Sequence, residues 1–149
     1  MNKFTLSALS FAIVLAMSGC KPETPAEVQE DVAEARADAN EEVRDEQLDA
    51  NQTALDANAD IADEMATGDA GDVNSARVDA TEDTAEARYD VAMAKADGVL
   101  SIAKERCDGA ADVDRDACNA AADAEYEAAK ASATADRDAA NANAEAMKR

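Results

Sequence analysis

The chain has 149 residues, 34 of them Asp or Glu and 14 Lys or Arg, with no Trp or His and a formal charge of −20. So acidic a chain is repelled by nucleic acid and by anionic lipid surfaces, which argues against either as a partner. Forty alanines against two Phe and two Tyr leave too few large side chains for an ordinary globular core, because the buried apolar area would not offset the ordering entropy of the chain.

Residues 1–20, MNKFTLSALSFAIVLAMSGC, read as an export signal. Lys3 supplies a short positive start, Phe4 to Met17 is an uncharged apolar run of 14 residues, and Ser18 and Gly19 are small residues ahead of Cys20. That run is short of the roughly 20 residues a helix needs to cross a bilayer, so residues 1–19 are expected to be a cleaved signal peptide rather than a transmembrane anchor. The competing reading is a soluble secreted protein cut nearby, with Cys20 incidental. Residues 1–19 hold one charge, Lys3, so the 130 residues that remain carry about −21. Ala is the best helix former and costs no rotamer entropy. The remainder therefore reads as long helices packed on thin Ala seams. Intrinsic disorder shares the high charge and low aromatic content, but Pro, Gly and Ser do not dominate this sequence as they do most disordered tails.

Residues 20–24 form a short linker that Pro22 and Pro25 keep extended. A first long helix is predicted over 25–66. Thr24 caps it, Pro25 takes its first position and Glu27 completes a capping box. Val28, Val32, Ala39, Val43, Ala50, Ala54, Ile61 and Met65 recur at alternating spacings of four and seven, an 11-residue repeat. At 3.67 residues per turn such a repeat stays on one face of a nearly straight helix about 60 Å long. Residues 67–72, with two glycines and acidic side chains suited to capping, are the expected turn.

Residues 73–149 are expected to form a helical hairpin. Its first arm runs to about Arg106, with Ala85, Tyr89, Ala92, Ala96, Val99 and Ala103 in heptad spacing. Gly98 within that arm either weakens the helix by about 1 kcal/mol or admits a neighbouring helix closely. The second arm runs from about Val113 to Met147. Its expected seam is Val113, Ala117, Ala121, Ala124, Ala128, Ala131, Ala135, Ala139, Ala142 and Ala146. The fold class is thus all-α, long Ala-rich helices in a coiled-coil-like hairpin or a three-helix bundle. A hairpin seamed by Ala alone would be marginal and would gain from a third helix, a second chain or a cross-link.

Cys107 and Cys118 flank the turn of that hairpin, where antiparallel arms can bring their Cα atoms within disulfide reach. Export through an oxidising compartment favours the bond, which in the chain-entropy model contributes about 3 kcal/mol. A redox-active pair would be expected to show the C-x-x-C spacing, and a zinc site would need more thiols or His. Asp112-Val113-Asp114-Arg115-Asp116 has the look of a calcium loop, yet Ala117 stands where an EF-hand needs Gly and Asp123 where it needs Glu. The simpler reading has Asp112 capping the last helix, with Asp114 and Asp116 favouring its positive end. No metal ligand set and no catalytic constellation is expected: His is absent, the few serines lack a base, and the carboxylates lie on exposed helix faces.

Met17-Ser18-Gly19-Cys20 resembles the bacterial lipobox, with Met17 where Leu is usual, and the resemblance implies that Cys20 is acylated as the first mature residue. Together with the Ala/Asp-rich helices and the stretch Ala80-Thr81-Glu82-Asp83-Thr84-Ala85-Glu86-Ala87-Arg88, it makes the chain similar to the murein-type outer-membrane lipoproteins of Gram-negative bacteria. That family would imply a trimeric coiled coil with a C-terminal Lys joined to peptidoglycan. Here the chain reads Met147-Lys148-Arg149, so the Lys is penultimate, and it is about twice the family's length. Ala94 to Ala131, with its Cys pair, is also similar to uncharacterised Ala-rich periplasmic proteins of proteobacteria. Lys21 after Cys20, rather than Asp, resembles the pattern that sends lipoproteins to the outer membrane.

The functional expectation is a non-enzymatic, lipid-anchored envelope protein facing the periplasm from the outer membrane. It would act as a helical spacer or adaptor towards peptidoglycan or a protein partner, with seams suited to self-association and no cofactor beyond the lipid on Cys20. The alternative is an acidic binding protein for divalent cations or a basic periplasmic partner.

Overall fold

In a computed structural model, residues 24–149 are described. The expected signal peptide, the expected acylation site Cys20 and the expected linker up to Glu23 lie outside them. The described chain is all-α. It forms three long helices, α1 (Pro25–Thr67), α2 (Ala70–Asp108) and α3 (Asp112–Met147).

Local chemistry fixes the helix ends. Thr24 and Glu27 make the expected capping box: the Glu27 carboxylate accepts from the Thr24 amide at 2.7 Å, and the Thr24 hydroxyl accepts from the Glu27 amide at 3.4 Å. The first turn is tighter than the 67–72 break suggested. Asp69 caps α2 at its first opportunity, accepting from the amides of Gly71 and Asp72, while Asp72 reaches back to the Asp69 amide. Gly71 is therefore helical, and α2 starts three residues before Val73. At the second turn Ala111 is the cap residue and makes no side-chain hydrogen bond. Asp112 is the first helical residue instead of the cap, so its carboxylate favours the positive end of α3 by its charge without capping it.

α2 is the middle of the assembly: α1 and α3 both pack on it antiparallel, and they do not pack on each other. All the seams follow the 11-residue period. On α1 the expected Val28, Val32, Ala39, Val43, Ala50, Ala54 and Ile61 are buried or half-buried. Met65 is not: it is 64% exposed, while Glu64 beside it is half-buried. α2 carries two such stripes. Ala76, Ala87, Gly98 and Gly109 share the phase that meets α1, where Gly98 comes against Ala39 and Gly109 against Val28. Asn74, Ala85, Ala96 and Cys107 mark the phase that meets α3.

The heptad expected on α2 slips after Ala96. Val99 is 56% exposed and Leu100 is half-buried, because an 11-residue period takes two steps of four in succession where a heptad takes one. On α3 the expected seam is on the wrong face. Val113 is 86% exposed, and every Ala of that stripe from Ala117 to Ala146 is exposed as well. The buried residues are Ala122, Ala133 and Ala144, each 11 apart. The disulfide at Cys118 and the bulk of Tyr126 set the rotation of α3, and Ala, present on all its faces, could not resist them.

Gly98 explains how an Ala seam holds two helices closely. A Cβ at that position would lie 2.6 Å from the Ala39 Cβ, so the absent methyl group is what permits the approach. The largest fully buried side chains are Val78 and Cys107, both on α2.

Candidate functional site

Cys107 closes the hairpin with Cys118 as a disulfide, their Cα atoms 5.6 Å apart. Around it Arg115 reaches back from α3, donating to the Asp108 carbonyl at 3.2 Å and lying 3.6 Å from the Asp112 carboxylate. That arrangement uses the first acid of the Asp112/Asp114/Asp116 run as a partner for Arg115. Among the described residues no group of three Cys, Asp or Glu side chains is disposed to hold a metal ion.

The α2–α3 interface carries a ladder of polar contacts from residues 11 apart on α3. Arg115 lies 3.9 Å from Asp108, Arg137 lies 3.8 Å from Glu86, and the Lys148 ammonium donates to Glu82 at 2.9 Å and to Glu145 at 2.6 Å. Tyr126 stands at the matching position beside Asp97, and its hydrogen bond to that carboxylate, aided by desolvation, pushes its pKa up. Lys104 adds a pair with Asp123 at 3.0 Å. Arg137 also stacks over the Tyr89 ring, 4.6 Å from its centroid. Its pKa is raised, mainly by its hydrogen bond to Asp138. Glu145 and then Glu82 hold the Lys148 ammonium charged by raising its pKa. Glu82 and Glu86, both on α2, find their partners across the hairpin.

The α1–α2 interface is different in kind. Among the described residues no ion pair or side-chain hydrogen bond joins the two helices. α1 holds 14 acidic residues and only Arg36 and Arg44 as bases. Along one edge of the seam, near the Gly68 turn, a groove of about 760 Å³ is lined by 11 carboxylates and no base. Asp49, Asp56, Asp60 and Asp63 come from α1, and Asp79, Asp83 and Asp90 face them from α2. The sequence showed these acids as a solvated face; the antiparallel register is what draws them into one groove. What holds α1 is the apolar contact of Val28, Val32, Val43 and Ile61, against the repulsion of that groove.

The turn between α1 and α2 and the Met147 end of α3 lie together, with Asn74 donating to the Met147 carbonyl at 2.9 Å. The start of α1 lies at the opposite end, beside the disulfide-linked turn, where Val28 meets Gly109. No helix of the described residues is long and apolar enough to cross a membrane. Comparison with family models, with curated proteins and with solved structures finds no match to this chain.

Proposed function

We propose that this protein is a non-enzymatic, lipid-anchored post of the cell envelope, acylated at Cys20 and projecting from the outer membrane into the periplasm. The observation that carries the reading is the placement of the ends. Thr24, four residues after Cys20, is at one end of the helical body, and Lys148 is at the other, one helix length away. By helical rise that length is about 64 Å for the 43 residues of α1. The double-sided packing of α2 stiffens the post, and the disulfide and ion pairs clasp two of its three helices. The charge of about −21 on the mature protein keeps it solvated and away from anionic headgroups. Partners at the far end, peptidoglycan or an envelope protein, would meet the Gly68 turn and the Lys148 end.

A second reading is favoured by the groove of 11 carboxylates: the far half of the post holds a basic polypeptide. It would be an extended, multiply charged partner, since the acids are strung along two helices.

Two measurements test the main reading. Mass spectrometry of the N-terminal peptide from native envelopes should show diacylglyceryl and N-acyl groups on Cys20. Three buried chains at about 0.8 kcal/mol per CH₂ would make the anchoring permanent. A strain lacking the protein should lose envelope integrity, seen as detergent sensitivity or vesicle shedding, and recover with wild type but not with Cys20→Ala. Full recovery with Cys20→Ala would remove the anchor from the function.

A further inference from the structure

Between α1 and α3 a strip of α2 is left uncovered, and it forms the floor of a valley on the side of the α1–α2 seam opposite the acidic groove. One part, about 670 Å³, is lined by Ile61 of α1, Ala85 and Tyr89 of α2, and Ala140 and Met147 of α3. It runs into a second part of about 610 Å³, since Thr84, Arg88 and Ala92 line both. From Arg77 to Lys95 the valley is about 27 Å long by helical rise. Its charge inverts that of the chain. Arg77, Arg88, Lys95 and Arg137 line it with a single acid, Asp136, in a sequence with more than twice as many acids as bases. Among the described residues Arg77, Arg88 and Lys95 make no ion pair.

A long trough of small-molecule size, lined by Ala, Ile and Met side chains and carrying unpaired cations along its length, is complementary to a ligand that is long, apolar and anionic at one end. A neutral amphiphile would leave the cations without a counter-charge, and a polyanion would have no use for the Ala, Ile and Met lining. We propose that this valley binds a long-chain fatty acid. The alkyl chain lies against Ala92, Ala140 and Ile61, and the carboxylate accepts hydrogen bonds from Arg88, where the two parts meet. Because the lining comes from all three helices, the ligand also bridges α1 to the hairpin, which no ion pair does.

Equilibrium dialysis of the full chain with radiolabelled palmitate tests this, with hexadecanol and zwitterionic lysophosphatidylcholine as parallel probes. One saturable equivalent of palmitate is expected, with hexadecanol and the lysolipid at least tenfold weaker. Arg88→Glu, at an exposed position that leaves the helix intact by circular dichroism, should weaken palmitate at least tenfold. Thr84→Trp, which fills the junction of the two parts, should do the same. Lys130→Glu, outside the valley, should change nothing. Hexadecanol binding as tightly as palmitate, binding that does not saturate, or affinity unmoved by both Arg88→Glu and Thr84→Trp would overturn the proposal.

Discussion

Replacing Gly98 with Ala should destabilise this protein, although the same change at an exposed helical position would stabilise it by about 1 kcal/mol through propensity alone. The new Cβ would stand 2.6 Å from the Ala39 Cβ and 3.5 Å from its Cα. Carbon atoms rest at roughly 3.5–4.0 Å, so α1 and α2 must part by about 1 Å where they cross. Both positions are backbone-proximal, and neither side chain has a rotamer to move away. Overpacking of this kind costs about 1–3 kcal/mol, which leaves a net loss of roughly 1 kcal/mol after the propensity gain. The reciprocal swap, Ala39→Gly with Gly98→Ala, moves the methyl group across the interface without adding one. Its propensity terms cancel, so the double variant should return close to wild type. Thermal and urea melts followed by helical circular dichroism read both, and for a chain of this size each kcal/mol moves the midpoint by about 3–6 °C. The coupling energy between the two sites should be about 1–2 kcal/mol. A stabilised Gly98→Ala variant, or a double variant no better than the single one, would refute the close crossing at Ala39.

Reduction of the Cys107–Cys118 disulfide should lower the melting midpoint by an amount equivalent to about 3 kcal/mol, and an unchanged melt would show that the staple contributes nothing. Raising salt from about 10 mM to 150 mM shortens the Debye length from roughly 30 Å to 8 Å. It should increase amide-exchange protection in α1 beyond that in α3, since α1 faces repulsion across the acidic groove while α3 is held by ion pairs; the opposite ordering would contradict the groove. Glu27 has its pKa lowered by hydrogen bonds to Thr24, the backbone amide first and the hydroxyl second. A carboxylate whose folded value lies below its unfolded one stabilises above the unfolded pKa, near 4.3, and loses that contribution as pH falls through the folded value. The first turn of α1 should therefore fray on acidification below about pH 4, and Glu27→Gln should remove the pH dependence of exchange at that turn.

The parts of the fold that the sequence disclosed are those where bulky or punctuating residues recur. On α1, Val28, Val32, Val43 and Ile61 can be buried on only one face, so their spacing revealed both the helix and its period. Thr24, Pro25 and Glu27 marked its start, and the two cysteines marked the hairpin. Met65 misled because a large apolar side chain near a helix end can remain in solvent. α3 was illegible in another way: with Ala on all its faces, several phases fit equally well. Cys118 and Tyr126 were the only residues able to choose among them. A stripe drawn through Cys118 in steps of four, four and three passes through Ala122, Tyr126, Ala133, Arg137 and Ala144, which is the observed face. The acidic groove and the basic valley were out of reach for a simpler reason. Each joins residues of different helices, and only the antiparallel register brings them together.

The post reading is tested most directly by changing its length without changing its seams. Since the stripes on all three helices repeat every 11 residues, one repeat can be removed from each while the buried faces stay in phase. Deleting residues 40–50, 87–97 and 128–138 together keeps both turns, the disulfide and the contact of Gly98 with Ala39, and shortens the body by about 16 Å. Helical circular dichroism should confirm an intact fold. A strain carrying only this acylated, shortened protein should then fail the same detergent-sensitivity assay that wild type restores, and pass it when the three repeats are returned. Full restoration by the shortened protein would show that reach is not what the envelope requires of it.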